Sequence, residues 1–132
     1  MLLTIKNYTE NKLEQKFIND NFAKYNYSEY TKTLANTVFE KVKNEEQDFL
    51  LIKDSSIFKG NELNDLRNKL KQFGITGIFI DNNRKYDPNL EKVSDYMIQI
   101  CRIDNQLTSN IIKCANADLR CFPFINPKSL IL

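Results

Sequence analysis

DFLLIKDSSIFKGNELNDLRNKLKQFGITGIFID, residues 48 to 81, is the stretch on which the fold turns. Its two ends, DFLLI at 48 to 52 and ITGIFI at 75 to 80, are short apolar runs without polar alternation, the pattern of strands buried on both faces. Between them Leu63, Leu66, Leu70 and Phe73 recur at helical spacing. Asn61 is expected to cap that helix, with Glu62 and Asp65 in its first turn and Lys69 and Lys71 in its last, so the charges complement the helix dipole. Gly74 falls where a left-handed C-cap belongs. Strand, helix and strand within about 34 residues is the length of a βαβ unit, which predicts a right-handed parallel crossover over residues 48 to 81.

Outward from this unit, LLTIK at 2 to 6 alternates weakly and is expected as an edge strand. Thr9 reads as an N-cap for a helix carrying Leu13, Phe17, Ile18, Phe22 and Tyr25. A second helix is expected from Ser28, with Tyr27, Leu34, Val38 and Val42 on one face until the charged KNEEQ at 43 to 47. Asp87-Pro88 opens a further helix with proline at its first position. From there Leu90, Val93, Met97, Ile100, Cys101, Leu107, Ile111 and Cys114 predict a long apolar helical face, interrupted near Asp104-Asn105. The expected fold is therefore α/β or α+β in one globular domain, 1 to 132. It has a small mixed sheet of three or four strands around a central parallel βαβ unit, an N-terminal helical pair and a long C-terminal helix. The apolar tail FPFINPKSLIL, with two of the three prolines, must dock within the domain or on another subunit.

Composition narrows the chemistry. The chain of 132 residues carries 19 Lys plus Arg against 17 Asp plus Glu, interleaved, for a net charge of +2. That balance disfavours a nucleic-acid surface, which needs a basic stripe. The apolar stretches reach about half of the roughly 20 residues that span a bilayer, and MLLTIKNYTENK lacks a cationic flank followed by an apolar core. Neither a signal peptide nor membrane attachment is expected. Cys101, Cys114 and Cys121 form no Cys-x-x-Cys pair, which reads as reduced thiols in the cytoplasm.

The chain has no histidine, which removes Ser-His and Cys-His nucleophiles and His-bearing metal sites. With only Gly60, Gly74 and Gly77, it has neither a GxGxxG fingerprint nor a Walker A loop. The chemistry left uses carboxylates, Lys, Arg, Tyr or a lone thiol. If the strands of the βαβ unit are neighbours, Asp54 and Asp81 leave the same sheet edge beside Ser55, Ser56 and Asn82. Such oxygen ligands suit Mg²⁺ or Mn²⁺, with Lys53 or Arg84 on a phosphate, and would make a metal-dependent phosphoester hydrolase or nuclease. The same Asp and Asn residues also serve as turn formers, which is the reading favoured for Asp81.

Two aromatic groups point to binding instead. YNYSEY brings Tyr25, Tyr27 and Tyr30 together, and Phe122 and Phe124 flank a proline in the tail. Tyrosine is enriched in protein interfaces. The middle of the chain resembles receiver-type, flavodoxin-like domains, where a strand-end aspartate precedes such a helix. It departs from them in having Lys53 at the acceptor position and no acidic pair after the first strand. The function expected is a small non-catalytic protein-binding module without a cofactor, covering a partner's surface as inhibitors and toxin-neutralising immunity proteins do. Phage or other mobile elements encode chains of this size and style. Its partner is another protein, and a homo-oligomer accords with the commonness of twofold assemblies.

Overall fold

The computed structural model describes residues 2–30, 38, 40, 48–53, 58, 61–83, 85, 87–103 and 106–114. In chain order they form β1 (Leu2–Asn7), α1 (Asn11–Phe22), β2 (Tyr27–Tyr30), β3 (Phe49–Ile52), α2 (Glu62–Phe73), β4 (Thr76–Asp81), α3 (Pro88–Val93), β5 (Tyr96–Ile103) and β6 (Gln106–Cys114). The six strands make one sheet in the order β2-β3-β4-β1-β5-β6. The first five are parallel, and β6 adds antiparallel to β5. The architecture is α/β.

The unit from β3 through α2 to β4 is a parallel crossover, Phe49 pairing with Thr76 and Ile52 with Phe79. Gly74 ends α2 at φ 65°, its N–H reaching Leu70 O and Lys71 O. Gly77 lets α2 lie close on the sheet, since a Cβ there would stand 2.8 Å from Leu70 Cδ1 and 3.4 Å from Leu2 Cδ1.

Elsewhere the expected architecture is overturned. The sheet has six strands rather than three or four, and β1 is internal, between β4 and β5, with all six of its residues buried. The N-terminal helical pair is divided by β2. Ser28 lies inside this strand, although Val38 and Glu40 farther on are helical. Here a cross-strand partner outweighs local helical spacing: the Tyr27 ring stacks on Phe49 at 4.8 Å and 10°, in register, while Asn26 N–H donates to Asp48 Oδ2 at 2.8 Å.

The long C-terminal helix is replaced by a six-residue α3 followed by the β5–β6 hairpin. Asp87 does cap α3, accepting from the N–H groups of Asn89 and Leu90, with Pro88 at the first position. The helix ends at Ser94, and the isoleucines at 98, 100 and 103 continue as a strand because β1 offers an open edge. β-Branched residues lose less there than in a helix. The sheet order also differs from the 2-1-3-4-5 order of flavodoxin-like domains. Asp54, Cys121, Phe122, Phe124 and the rest of the tail lie outside the described residues.

Strand order dictates which face each helix covers. From β1 the chain crosses three positions to β2, and every later parallel connection runs back the other way. Right-handed crossovers therefore place α1 on one face and α2 and α3 on the other. Two cores result. Phe17, Ile18 and Phe22 of α1 pack on Leu3, Ile5, Leu51, Ile78, Ile80 and Ile98. Leu63, Leu66 and Leu70 of α2, with Leu90 and Val93 of α3, pack on Leu2, Leu50, Ile52 and Phe79. Among the described residues no helix is long and apolar enough to cross a membrane.

Tyr30 faces the second core, and its buried hydroxyl has no hydrogen-bond partner among the described residues. An unmet buried hydroxyl costs about 1–3 kcal/mol. Tyr30→Phe is expected to raise the unfolding free energy by about 1 kcal/mol in urea titration, and a loss of stability would show that the hydroxyl is solvated or paired.

Candidate functional site

In an open α/β sheet, ligands bind beyond the carboxyl ends of the strands, where neighbouring connections leave for opposite faces. Here that point lies between β1, which leads to α1, and β4, which leads to α3 on the other face. Four polar side chains converge on it, and Lys6, Asn7, Glu14 and Asp81 are each no more than 6% exposed.

Lys6 and Asp81 occupy the centre. They are register partners on β1 and β4, and Lys6 Nζ donates to Asp81 Oδ2 at 2.8 Å. The remaining Lys6 protons go to Asn83 O at 2.9 Å and Lys85 O at 3.1 Å, so the ammonium's three donors are all used. The Tyr8 ring centroid lies 5.8 Å from the same nitrogen. Asp81 Oδ1 accepts from Asn83 N–H at 3.0 Å, forming an Asx turn. Asp81 is thus both the start of a turn and the counter-ion of Lys6.

Asn7 extends the network toward both neighbours. Its Nδ2 donates to Glu14 Oε2 at 3.1 Å on α1 and to Asn82 Oδ1 at 2.7 Å beyond β4. Its Oδ1 accepts from Thr9 N–H at 2.9 Å and from the Thr9 hydroxyl. The β1–α1 loop is only Tyr8, Thr9 and Glu10, tied to β5 by Tyr8 N–H to Ile100 O at 2.9 Å. This loop contains no glycine, so it is not a glycine-rich phosphate loop. Farther along the same edge, Lys53 after β3 pairs with Glu29 of β2. Burial pushes the Glu14 carboxyl above its ordinary 4.5. The charge of Lys53 and the Asn7 hydrogen bond oppose that shift, and Glu29 adds to it.

The structure separates the tyrosines that lie together in sequence. Tyr25 and Tyr27 sit at the opposite, amino edge of the sheet, half-buried against the α1-side core. Tyr25 lies 5.9 Å from the Phe49 ring, with Lys24 Nζ 5.2 Å above its own ring. Tyr30, three positions beyond Tyr27 in the strand, points to the other face. Cys101 is half-buried on β5. Asp54 falls outside the described residues, so of the carboxylate pair only Asp81 is seen, and both its oxygens are engaged. Lys6, Asn7 and Glu14 are site residues that sequence reasoning missed. Their one signal is the polar end of LLTIKN, which gains meaning only when β1 is known to lie beside β4.

No protein-family model and no curated relative matches the sequence. Among solved structures the fold is similar to the crystal structure of a KaiC-like protein from the hyperthermophilic archaeon Pyrococcus horikoshii. The identity is 11% and the TM-score 0.54, over 86% of this chain and 78% of that one. At this identity the likeness is one of fold.

Removing one member of a buried ion pair costs about 3–5 kcal/mol because the other charge is stranded. Asp81→Asn is expected to lose about 3 kcal/mol in urea unfolding, and Lys6→Met with Asp81→Leu less than the sum of the two single changes. Additive losses would show that the pair is solvated. For Glu14, the raised value means that the folded chain holds the proton more tightly than the unfolded chain. Its contribution is complete below 4.5 and is lost as pH rises through the folded value. Glu14→Gln should therefore flatten the decline in stability as pH rises above 4.5, and an unchanged slope would assign the decline to other groups.

Proposed function

We propose that the chain is a non-catalytic protein-binding module that acts by covering a partner's surface. The observation that carries this reading is the filling of the crevice between β1 and β4, where a sheet of this kind takes small ligands. The Lys6–Asp81 pair and the Asn7 carboxamide close it with their own hydrogen bonds. A divalent ion at Asp81 would have to displace a buried ammonium 2.8 Å away. The phosphoester-hydrolase reading thereby loses its best-placed ligand.

Surface recognition needs anchors that are rigid before the partner arrives. Tyr25 and Tyr27 meet that requirement. Their rings are fixed against Phe49 and Phe22, they remain half-exposed, and Lys24 stands beside them. Tyr30, inside the second core, supports β2 and is not itself a contact residue in this reading.

Photo-crosslinking tests the proposal. A photoreactive residue replacing Lys24 of the intact chain, expressed in its native cells, is expected to trap one protein reproducibly. Tyr27→Ser should weaken the purified complex by more than about tenfold, the loss of an aromatic anchor. Turnover of a phosphoester that depends on Mg²⁺ or Mn²⁺ and vanishes in a folded Asp81→Asn variant would overturn it.

A further inference from the structure

Because α2 and α3 share one face of the sheet and α3 is half as long, a groove of about 300 Å³ remains between them. Its floor is apolar, made by Leu63 and Val93 where these reach the surface of the second core. Asn61, Asn64 and Arg67 line one wall at successive turns of α2, and Asn89 and Lys92 of α3 line the other. This size is at the lower end for ligand sites.

The lining groups are not consumed by the fold. Asn61 precedes α2 yet makes no side-chain cap, and α3 is capped by Asp87 rather than Asn89. The carboxamides of Asn61, Asn64 and Asn89 and the ammonium of Lys92 make no side-chain hydrogen bond to another described residue. Arg67 spends a single donor, Nη2 to Asp95 Oδ1 at 3.3 Å. No carboxylate is among the described lining residues. The groove thus presents two cations, one partly offset by Asp95, and three unused carboxamides.

We infer that this groove binds a short, extended, acidic peptide segment. A carboxamide offers one acceptor and a pair of donors, matching the N–H and C=O of a peptide group. Three of them on two walls can hold a backbone laid along the helices, while Lys92 and the free edge of Arg67 meet carboxylates. Leu63 and Val93 provide apolar contact beneath. The inference rests on the protein-binding reading and names the kind of segment that this face would take.

The test uses the intact, ¹⁵N-labelled chain and three probes: a blocked Glu-Asp-Glu-Asp peptide, its Gln-Asn-Gln-Asn counterpart and inorganic phosphate. The acidic peptide is expected to move the side-chain amide signals of Asn61, Asn64 and Asn89 saturably, with the neutral peptide at least about tenfold weaker. Lys92→Glu, an exposed change that leaves the thermal midpoint in place, should weaken the acidic peptide by a similar factor. Arg67→Gln provides a second reading, with its midpoint checked because the Asp95 bond is lost. Equal binding of the two peptides, no movement at millimolar peptide, or movement by phosphate alone would overturn the inference. Partner capture next to Tyr25 and Tyr27 that survives Lys92→Glu would also overturn it while leaving the binding module intact. Peptide binding here without any trapped partner would fail the module and keep the groove.

Discussion

The ion pair between Lys6 and Asp81 is the constraint around which the carboxyl half of this molecule is arranged. It joins the two central strands, β1 and β4, across 75 positions of sequence, at the one place where their continuations part to opposite faces. A charge so deeply placed is tolerated only when every proton finds an acceptor. The chain therefore folds the segment after β4 back on itself, so that Asn83 O and Lys85 O complete the ammonium's coordination. The Asx turn at Asp81 is part of the same arrangement, since it turns those carbonyls toward Lys6. Asn7 does for the amides and the carboxyl of Glu14 what Lys6 does for the charges.

This arrangement gives the two edges of the sheet different characters. Between β1 and β4 the described carboxyl edge is polar, with Lys6, Asn7, Glu14 and Asp81 bonded within one network. The amino edge is aromatic, with Phe22, Tyr25, Tyr27 and Phe49 in mutual ring contact and the two tyrosines reaching solvent.

Much of the central fold was legible in the sequence because its signals were local. Asn61, the dipole-matched charges and Gly74 marked α2, and the uninterrupted apolar runs on either side marked β3 and β4 as parallel and buried. Asp87-Pro88 likewise marked the start of α3. The errors came where pairing decided. YMIQICRI suits a helix face as well as a strand until β1 supplies an edge, and YSEY becomes β2 only because Tyr27 can stack on Phe49. The site was less legible. Asp81 could be singled out from its position at a strand end. Its partner Lys6 could not, because nothing in LLTIKN announces that this strand lies in the middle of the sheet.

That insertion of β1 has a consequence for how the chain acquires its structure. β1 is made before both of its neighbours, and its hydrogen-bonding edges stay vacant until β4 and then β5 exist. On a growing polypeptide, Leu2, Leu3 and Ile5 must wait through synthesis of residues 11 to 81 before the first of those edges can close. Closing so long a loop carries an entropic penalty that local contacts cannot offset, and it makes the final zippering slow. In that interval the nascent chain holds an unpaired apolar strand, the kind of segment that chaperones protect and that other copies can capture by mistake.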